Sequence, residues 1–443
     1  MLDIVNRITG FFLSFSIPAF YKKYQGKNIH YLFTDKPVII AMNHPNAFTD
    51  PIIINFLTRP KIGLKYLARG DAFKTGIATF FLEQFGIVPI FRIQDGGKEG
   101  LKKNNESYKR VNQLLKKNNK IIVFAEGLCV QERRLRPLKK GVPRMVFGAY
   151  DFLDNKDLVV IPIAVNYSKP HKQGSTIFYN VGTPINVSNY ETEYKEQPAK
   201  TYNKFLQDLE PKMKELMVQI NNPKYDNLVE EVETLITNSE LKRNNHKQNN
   251  LEQRFYISQK IANKINQLET ENPIALDSFL NKSKNYFNQL KKLNLKDWLL
   301  NPINKSKTNI VYISLIFLFL IITSPFALIS LVVNTLPLKL THLIVKKIIK
   351  NNKEFYSSLF IAISLFLFII NYLIWFFILY HFSNNIWLPL ALIATFIICG
   401  YFTTYYIICY KKLIGSIKYR MVSNQIDNLK QLRKELVSLF NEF

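Results

Sequence analysis

The stretch "AMNHPNAFTDP", residues 41–51, sets His44 six positions ahead of Asp50. An imidazole changes protonation near neutral pH, and a carboxylate on Nδ1 fixes its tautomer and leaves Nε2 to take a proton from a hydroxyl. The same residues also describe plain architecture. Pro45 biases His44 toward extended backbone, and "TDPIIINFL" reads as a helix start with Asp50 as N-cap and Pro51 at the first helical position. Taken alone, the pattern fits a turn and a capped helix better than a general base and its partner.

Three further stretches bear on that choice. "FGIVPIFRIQDGG" carries Arg92 just beyond an apolar run, where a guanidinium can grip a phosphate in two bonds; surface arginine is the plainer alternative. "IIVFAEGLCVQERRLRPLKKG" delivers Glu126 and Gly127 to the end of a buried-looking strand, followed by Arg133, Arg134, Arg136, Lys139 and Lys140. Gly127 permits close backbone approach to a ligand, and the basic cluster suits an anionic one. "LVVIPIAVNY" places Pro162 inside a strand-like run, which predicts a sheet edge or a bulge beside a site.

The elements that must position these residues alternate. Short apolar runs ("PVIIAMN", "GIVPIF", "KIIVFAEG", "LVVIPIAVNY", "STIFYNVG") are interleaved with helix-like stretches at 100–119 and 141–153. That order predicts an α/β domain, a mostly parallel sheet flanked by helices, with its chemistry at strand ends. Residues 196–220 read as one amphipathic helix. Residues 221–305 turn Asn-, Lys- and Glu-rich, with breaks near "RNNHKQNN" and "ENP", and read as two or three helices.

Residues 310–338 and 355–410 contain no Asp, Glu, Lys or Arg. A crossing helix needs roughly 20 apolar residues, so this is an integral membrane protein, and its net charge of +26 is read as facing anionic lipid headgroups. Nucleic acid, the other partner such charge suggests, is set aside because no nucleic-acid module accompanies it. Residues 356–380 and 386–409 predict a helical hairpin with basic flanks on one face. Residues 310–334, interrupted by Pro325, are expected to dip into one leaflet and return. The N-terminal "MLDIVNRITGFFLSFSIPAFYKK" reads as an interfacial helix with Lys22 and Lys23 at the headgroups. The expected divisions are an anchor helix over 1–30, the α/β domain over 31–220, a helical insert over 221–305, and membrane-embedded helices with a cytoplasmic tail over 306–443. Cys129, Cys399 and Cys409 show neither disulfide nor metal spacing, so no metal is expected.

In order and spacing, the four motifs resemble the glycerolipid acyltransferase family, the PlsC-like group, over roughly residues 35–190. The family's first motif has four residues between His and Asp; here five separate His44 from Asp50, as in the fungal-type glycerol-3-phosphate and dihydroxyacetone-phosphate acyltransferases. The third motif, usually Phe-Pro-Glu-Gly, reads Phe124-Ala125-Glu126-Gly127. The resemblance implies that His44 is the general base and Asp50 its orienting partner. It implies that Arg92, Glu126, Gly127, Arg133 and Arg136 bind substrate, with Arg136 preferred over Arg133 for the acceptor phosphate. It implies acyl-CoA or acyl-ACP as donor and no cofactor, with acyl carrier protein a candidate partner. A glycerol phosphate is the expected acceptor; lysophosphatidate is the alternative, and a non-catalytic lipid-binding scaffold the alternative of another class. The expected location is the cytoplasmic (inner) membrane, with the catalytic domain in the cytoplasm.

Overall fold

The computed structural model describes residues 2–58, 62–70, 82, 86–91, 93–154 and 157–443. The chain divides into two compact units. One comprises Met1–Gln219 with Asn351–Ser358, the other Ile220–Lys350 with Leu359–Phe443.

In the first unit the elements run α1 (Leu2–Phe20), β1 (Tyr21–Lys27), β2 (Val38–Met42), α2 (Thr49–Thr58), β3 (Leu64–Arg69), β4 (Ile87–Ile90), α3 (Ile93–Lys116) and β5 (Lys120–Phe124). After these come α4 (Gly141–Phe152), β6 (Val159–Tyr167), β7 (Ser175–Val181), β8 (Ile185–Asn186), α5 (Glu191–Glu196) and α6 (Pro198–Glu215). The strands form one sheet in the order β1-β7-β6-β2-β5-β3-β4, with β8 also on β6. Among the described residues, only the β6–β7 and β6–β8 pairings are antiparallel. The sheet is thus mostly parallel and flanked by helices. The middle strand, β2, reads Val-Ile-Ile-Ala-Met and is buried throughout, because β5 and β6 pair with it on both sides and helices cover the sheet. Val111 and Leu115 of α3, Val146 and Phe147 of α4, and Phe205 and Leu209 of α6 share one buried cluster with Ile39, Ala41, Ile121 and Val160 of the strands.

Three local expectations are revised. The N-terminal helix stops at Phe20, and Tyr21–Lys27 is a strand parallel to β7, so Lys22 and Lys23 belong to a sheet edge. Helix α2 begins at Thr49, which puts Asp50 inside the first turn instead of at the cap. Pro162 lies in an interior strand. Its carbonyl accepts from Gly182 N at 2.9 Å on the side where β6 changes partner from β8 to β7. A strand residue's N–H and C=O point the same way, so the missing donor falls in that gap and no bond to β2 is lost.

The second unit holds α7 (Asp226–Arg243), α8 (Leu251–Glu271), α9 (Pro273–Lys292), α10 (Ile310–Ile349), most of α11 (Tyr356–Ser383), α12 (Trp387–Met421) and α13 (Ser423–Glu442). The Asn-rich breaks act as caps: the Asn250 side chain accepts from Gln253 N at 3.2 Å, and Asn272 from Ala275 N at 3.1 Å, with Pro273 opening α9. A buried ion pair, Arg433 Nε to Asp297 Oδ1 at 2.8 Å, ties α13 to the segment before α10; Tyr286 OH donates to the same oxygen at 2.8 Å.

Helices α10, α11 and α12 are each long and apolar enough to cross a bilayer. The expected break at Pro325 does not occur, and α10 runs on through Pro325 and Pro337. A helical proline frees the carbonyl four residues earlier. Ser324 Oγ donates to Ile321 O at 2.8 Å, and Asn371 Nδ2 of α11 donates to Val333 O at 3.2 Å. Both orphaned carbonyls are therefore satisfied, as an apolar surrounding demands.

Candidate active site

The central strand β2 ends at Met42, and the next residues build the site. Asn43 extends the ladder with its side chain: Nδ2 donates to Val165 O at 3.2 Å, and Oδ1 accepts from Val165 N at 2.8 Å. That clamp fixes where His44 leaves the sheet. The His44 ring stacks on Phe124, the last residue of β5, with centroids 3.6 Å apart and planes 13° from parallel. Nδ1 lies 2.8 Å from Asp50 Oδ2.

Asp50 is fully buried, whereas the imidazole remains 16% exposed. A buried carboxylate needs donors on both oxygens. Oδ2 also accepts from Asn46 N at 2.9 Å, and Oδ1 accepts from Tyr167 OH at 2.6 Å. Tyr179 OH donates to the Asp50 carbonyl at 2.7 Å. Burial first, and the Asp50 charge second, push both phenols well above their ordinary range, so each stays a donor at neutral pH. With Nδ1 held by this anchored carboxylate, Nε2 is the nitrogen left for proton transfer.

Glu126, expected to touch substrate, is turned inward. Its carboxylate accepts from Arg136 N at 3.1 Å and from the His44 backbone N–H. Burial raises its carboxyl to about 7 in spite of those two donors. Glu126 therefore fastens the basic loop to the strand end that bears His44. Gly127 has φ +65°, and an added Cβ would lie 3.1 Å from Lys139 Cγ, so the turn after Glu126 requires glycine's freedom.

The Arg136 guanidinium pairs with Glu132 through Nε at 3.3 Å and Nη2 at 2.9 Å, while Arg134 stands 3.8 Å from the same carboxylate. The side chain of Arg133 is half-buried on the same loop. Arg92 lies outside the described residues. Thus His44, Asp50, Glu126, Gly127 and the backbone of Arg136 are brought together, with the Arg136 head group turned to Glu132.

Sequence reasoning passed over Tyr167, Tyr179, Asn46 and Cys129. The Cys129 thiol accepts from Ala47 N at 3.1 Å, and burial, with Asp50 next in weight, pushes it up, so it stays protonated. Ala47 itself has φ 28°, backbone that non-glycine residues rarely adopt, in the loop between His44 and Asp50. The available signal for the tyrosines was indirect: an aspartate committed to the interior must be met by donors, and Tyr167 closes the strand that runs beside β2.

Residues 23–166 match the acyltransferase family model. Glycerol-3-phosphate O-acyltransferase 1 of Saccharomyces cerevisiae is 35% identical over 96 residues, 22% of this chain and 12% of that protein. Glycerol-3-phosphate O-acyltransferase 2 of the same yeast is 29% identical over 127 residues, 28% of this chain and 17% of that one. The chain thus spans less than a fifth of either relative. Among solved structures, the 1-acyl-sn-glycerophosphate acyltransferase PlsC from Thermotoga maritima aligns with a TM-score of 0.32 at 13% identity, covering 46% of this chain and 78% of that one. The His44–Asp50 pair at the end of the central strand lies within residues 23–166, the stretch of this chain that matches the acyltransferase family model.

Proposed function

We propose that the protein is a membrane-bound O-acyltransferase. It moves a fatty acyl group from an acyl-CoA or acyl-ACP thioester to the sn-1 hydroxyl of glycerol-3-phosphate, or to the hydroxyl of dihydroxyacetone phosphate. The observation that carries this reading is the 2.8 Å contact between His44 Nδ1 and a buried, fully hydrogen-bonded Asp50 carboxylate. The names of the two yeast relatives support the choice of acceptor.

In this mechanism His44 Nε2 takes the hydroxyl proton as the acceptor oxygen attacks the thioester carbonyl. The C–O bond forms, the tetrahedral adduct collapses, the C–S bond breaks, and the imidazolium returns the proton to the leaving thiolate. Base catalysis of this kind typically supplies ~10²–10⁴-fold in rate. The protonated, buried Cys129 thiol favours direct attack over a covalent acyl-enzyme. We assign the acceptor phosphate to Arg92, Arg133 and Arg136, with Arg136 exchanging its Glu132 partner for the phosphate. The apolar helices hold the protein in the bilayer, and the basic flanks face anionic headgroups on the cytoplasmic side, where thioester donors are made.

Purified full-length protein with a labelled acyl donor, offered glycerol-3-phosphate, dihydroxyacetone phosphate and lysophosphatidate in parallel, tests the assignment. His44→Ala should reduce transfer by roughly 10²-fold or more without loss of folding, and Asp50→Asn should lose most of it. Wild-type turnover in His44→Ala would overturn the mechanism, and transfer to lysophosphatidate alone would replace the acceptor.

A further inference from the structure

The loop that joins His44 to Asp50 is braced from a distant part of the chain. Ser357, the second residue of α11, is fully buried in the first unit. Its hydroxyl lies 2.7 Å from Asn46 Oδ1 and 2.9 Å from Thr49 Oγ1. Proton accounting orders these contacts. Asn46 Nδ2 donates to Pro170 O at 3.1 Å, and a carbonyl can only accept, so the amide's orientation is settled and Oδ1 faces Ser357. Ser357 therefore gives its single proton to Asn46, and Thr49 donates to Ser357.

Asn46 is also fully buried, and its Nδ2 further donates to Tyr21 OH at 2.9 Å. The same residue's backbone N–H is bonded to Asp50 Oδ2, the oxygen that takes His44 Nδ1. A line of hydrogen bonds thus runs from Ser357 through Asn46 to the oxygen that orients the imidazole. Two more contacts seat the same segment beside this loop: Phe355 meets Phe48 edge-on at 6.3 Å, and Gln131 Nε2 donates to Lys353 O at 3.1 Å.

We propose that Ser357 is a positioning residue for acyl transfer. The first turn of a bilayer-capable helix completes the active site by holding Asn46, and through it Asp50, in register with His44. The C-terminal region is then a working part of the catalytic centre as well as an anchor. This rests on the reading of His44 as the base. It adds that the base is oriented only while the start of α11 is in place.

The test uses the full-length protein in lipid nanodiscs, with kcat, both KM values and Tm measured for Ser357→Ala, Ser357→Thr, Asn46→Ala and Ser357→Ala/Asn46→Ala. Ser357→Ala leaves almost no cavity. It should lower kcat by about ten- to a hundredfold, the scale of a small misplacement of reacting groups, with KM nearly unchanged and Tm lowered by only a few degrees as the buried Asn46 Oδ1 loses its donor. Ser357→Thr restores the hydroxyl and should recover most of the loss. In the Asn46→Ala background, Ser357→Ala should cost nothing further, because the line is already cut. Wild-type kcat in Ser357→Ala, or losses that simply multiply in the double variant, would overturn the proposal. Either result beside an inactive His44→Ala leaves the base mechanism standing, whereas an active His44→Ala removes that mechanism first.

Discussion

Glu126 shows how a residue's environment redirects its chemistry. Its carboxyl, 4.5 in ordinary surroundings, is raised by burial to about 7. Folding therefore takes up a proton between those values. The stability this contributes is complete below the unfolded value and is lost as pH rises through the folded one. Glu126→Gln stays neutral at every pH, apart from a constant offset from its amide. The difference in stability should move toward the variant by about 3 kcal/mol as pH rises from about 5 to about 8. Thermal unfolding of both proteins across that range checks this, and a pH-independent difference would contradict it. At this scale legibility follows sequence separation. His44 and Asp50 are six positions apart, so one short stretch displayed both, although their roles became legible only with the three motifs that follow. Tyr167 reaches Asp50 across 117 positions and Ser357 reaches Asn46 across 311, and no local pattern records such contacts. The inward turn of Glu126 was equally hidden, because it depends on which backbone N–H groups the loop presents.

Among the elements, the strongly apolar strands β2, β5 and β6 were legible because strands buried on both faces read as continuous aliphatic runs. Strand β1, "YKKYQGK", was not: its lysines suit an edge, and its pairing is supplied by β7, far along the chain. Helix α10 misled in another way. Proline normally interrupts a helix, but here Ser324 and Asn371 accept the consequence by donating to Ile321 O and Val333 O. Asn371→Leu should therefore destabilise the membrane helices by about 0.5–1.5 kcal/mol, since Val333 O loses its donor. In a Pro337→Ala background the new backbone N–H serves that carbonyl, and the same substitution should cost much less. Unfolding of the four variants in mixed micelles measures the coupling; equal costs in both backgrounds would refute it.

For the molecule as a whole, the question is how many times the chain crosses the bilayer. Helices α11 and α12 form the hairpin, with Trp375 and Phe396 5.8 Å apart. Helix α10 meets them at three levels. Ile313 and Leu320 cluster with Cys409 and Leu413 toward the C-terminal end of α12. Asn334 accepts from Tyr372 OH at 3.0 Å and donates to Phe396 O at 3.1 Å in the middle, and His342 lies 4.8 Å from Phe360 near the start of α11. The buried Arg433–Asp297 pair ties the helix after α12 to the segment before α10, so the chain enters and leaves the three apolar helices on one face, and two crossings are expected in place of three. Single cysteines at Ser306, Asn385 and Glu442 in a background lacking native cysteines test this. A reagent that does not cross the membrane should label Asn385 from one face and the other two from the opposite face. Ser306 and Glu442 labelling from opposite faces would establish three crossings. The bond between Asn46 and Ser357 has a last consequence, one of timing. Ser357 leaves the ribosome 311 residues after Asn46, a delay of roughly 15–60 s at about 5–20 residues per second. Until then the nascent acyltransferase domain has its base and carboxylate but lacks the brace between them, so on this reading the enzyme gains full activity only once the first turn of its second apolar helix has been made.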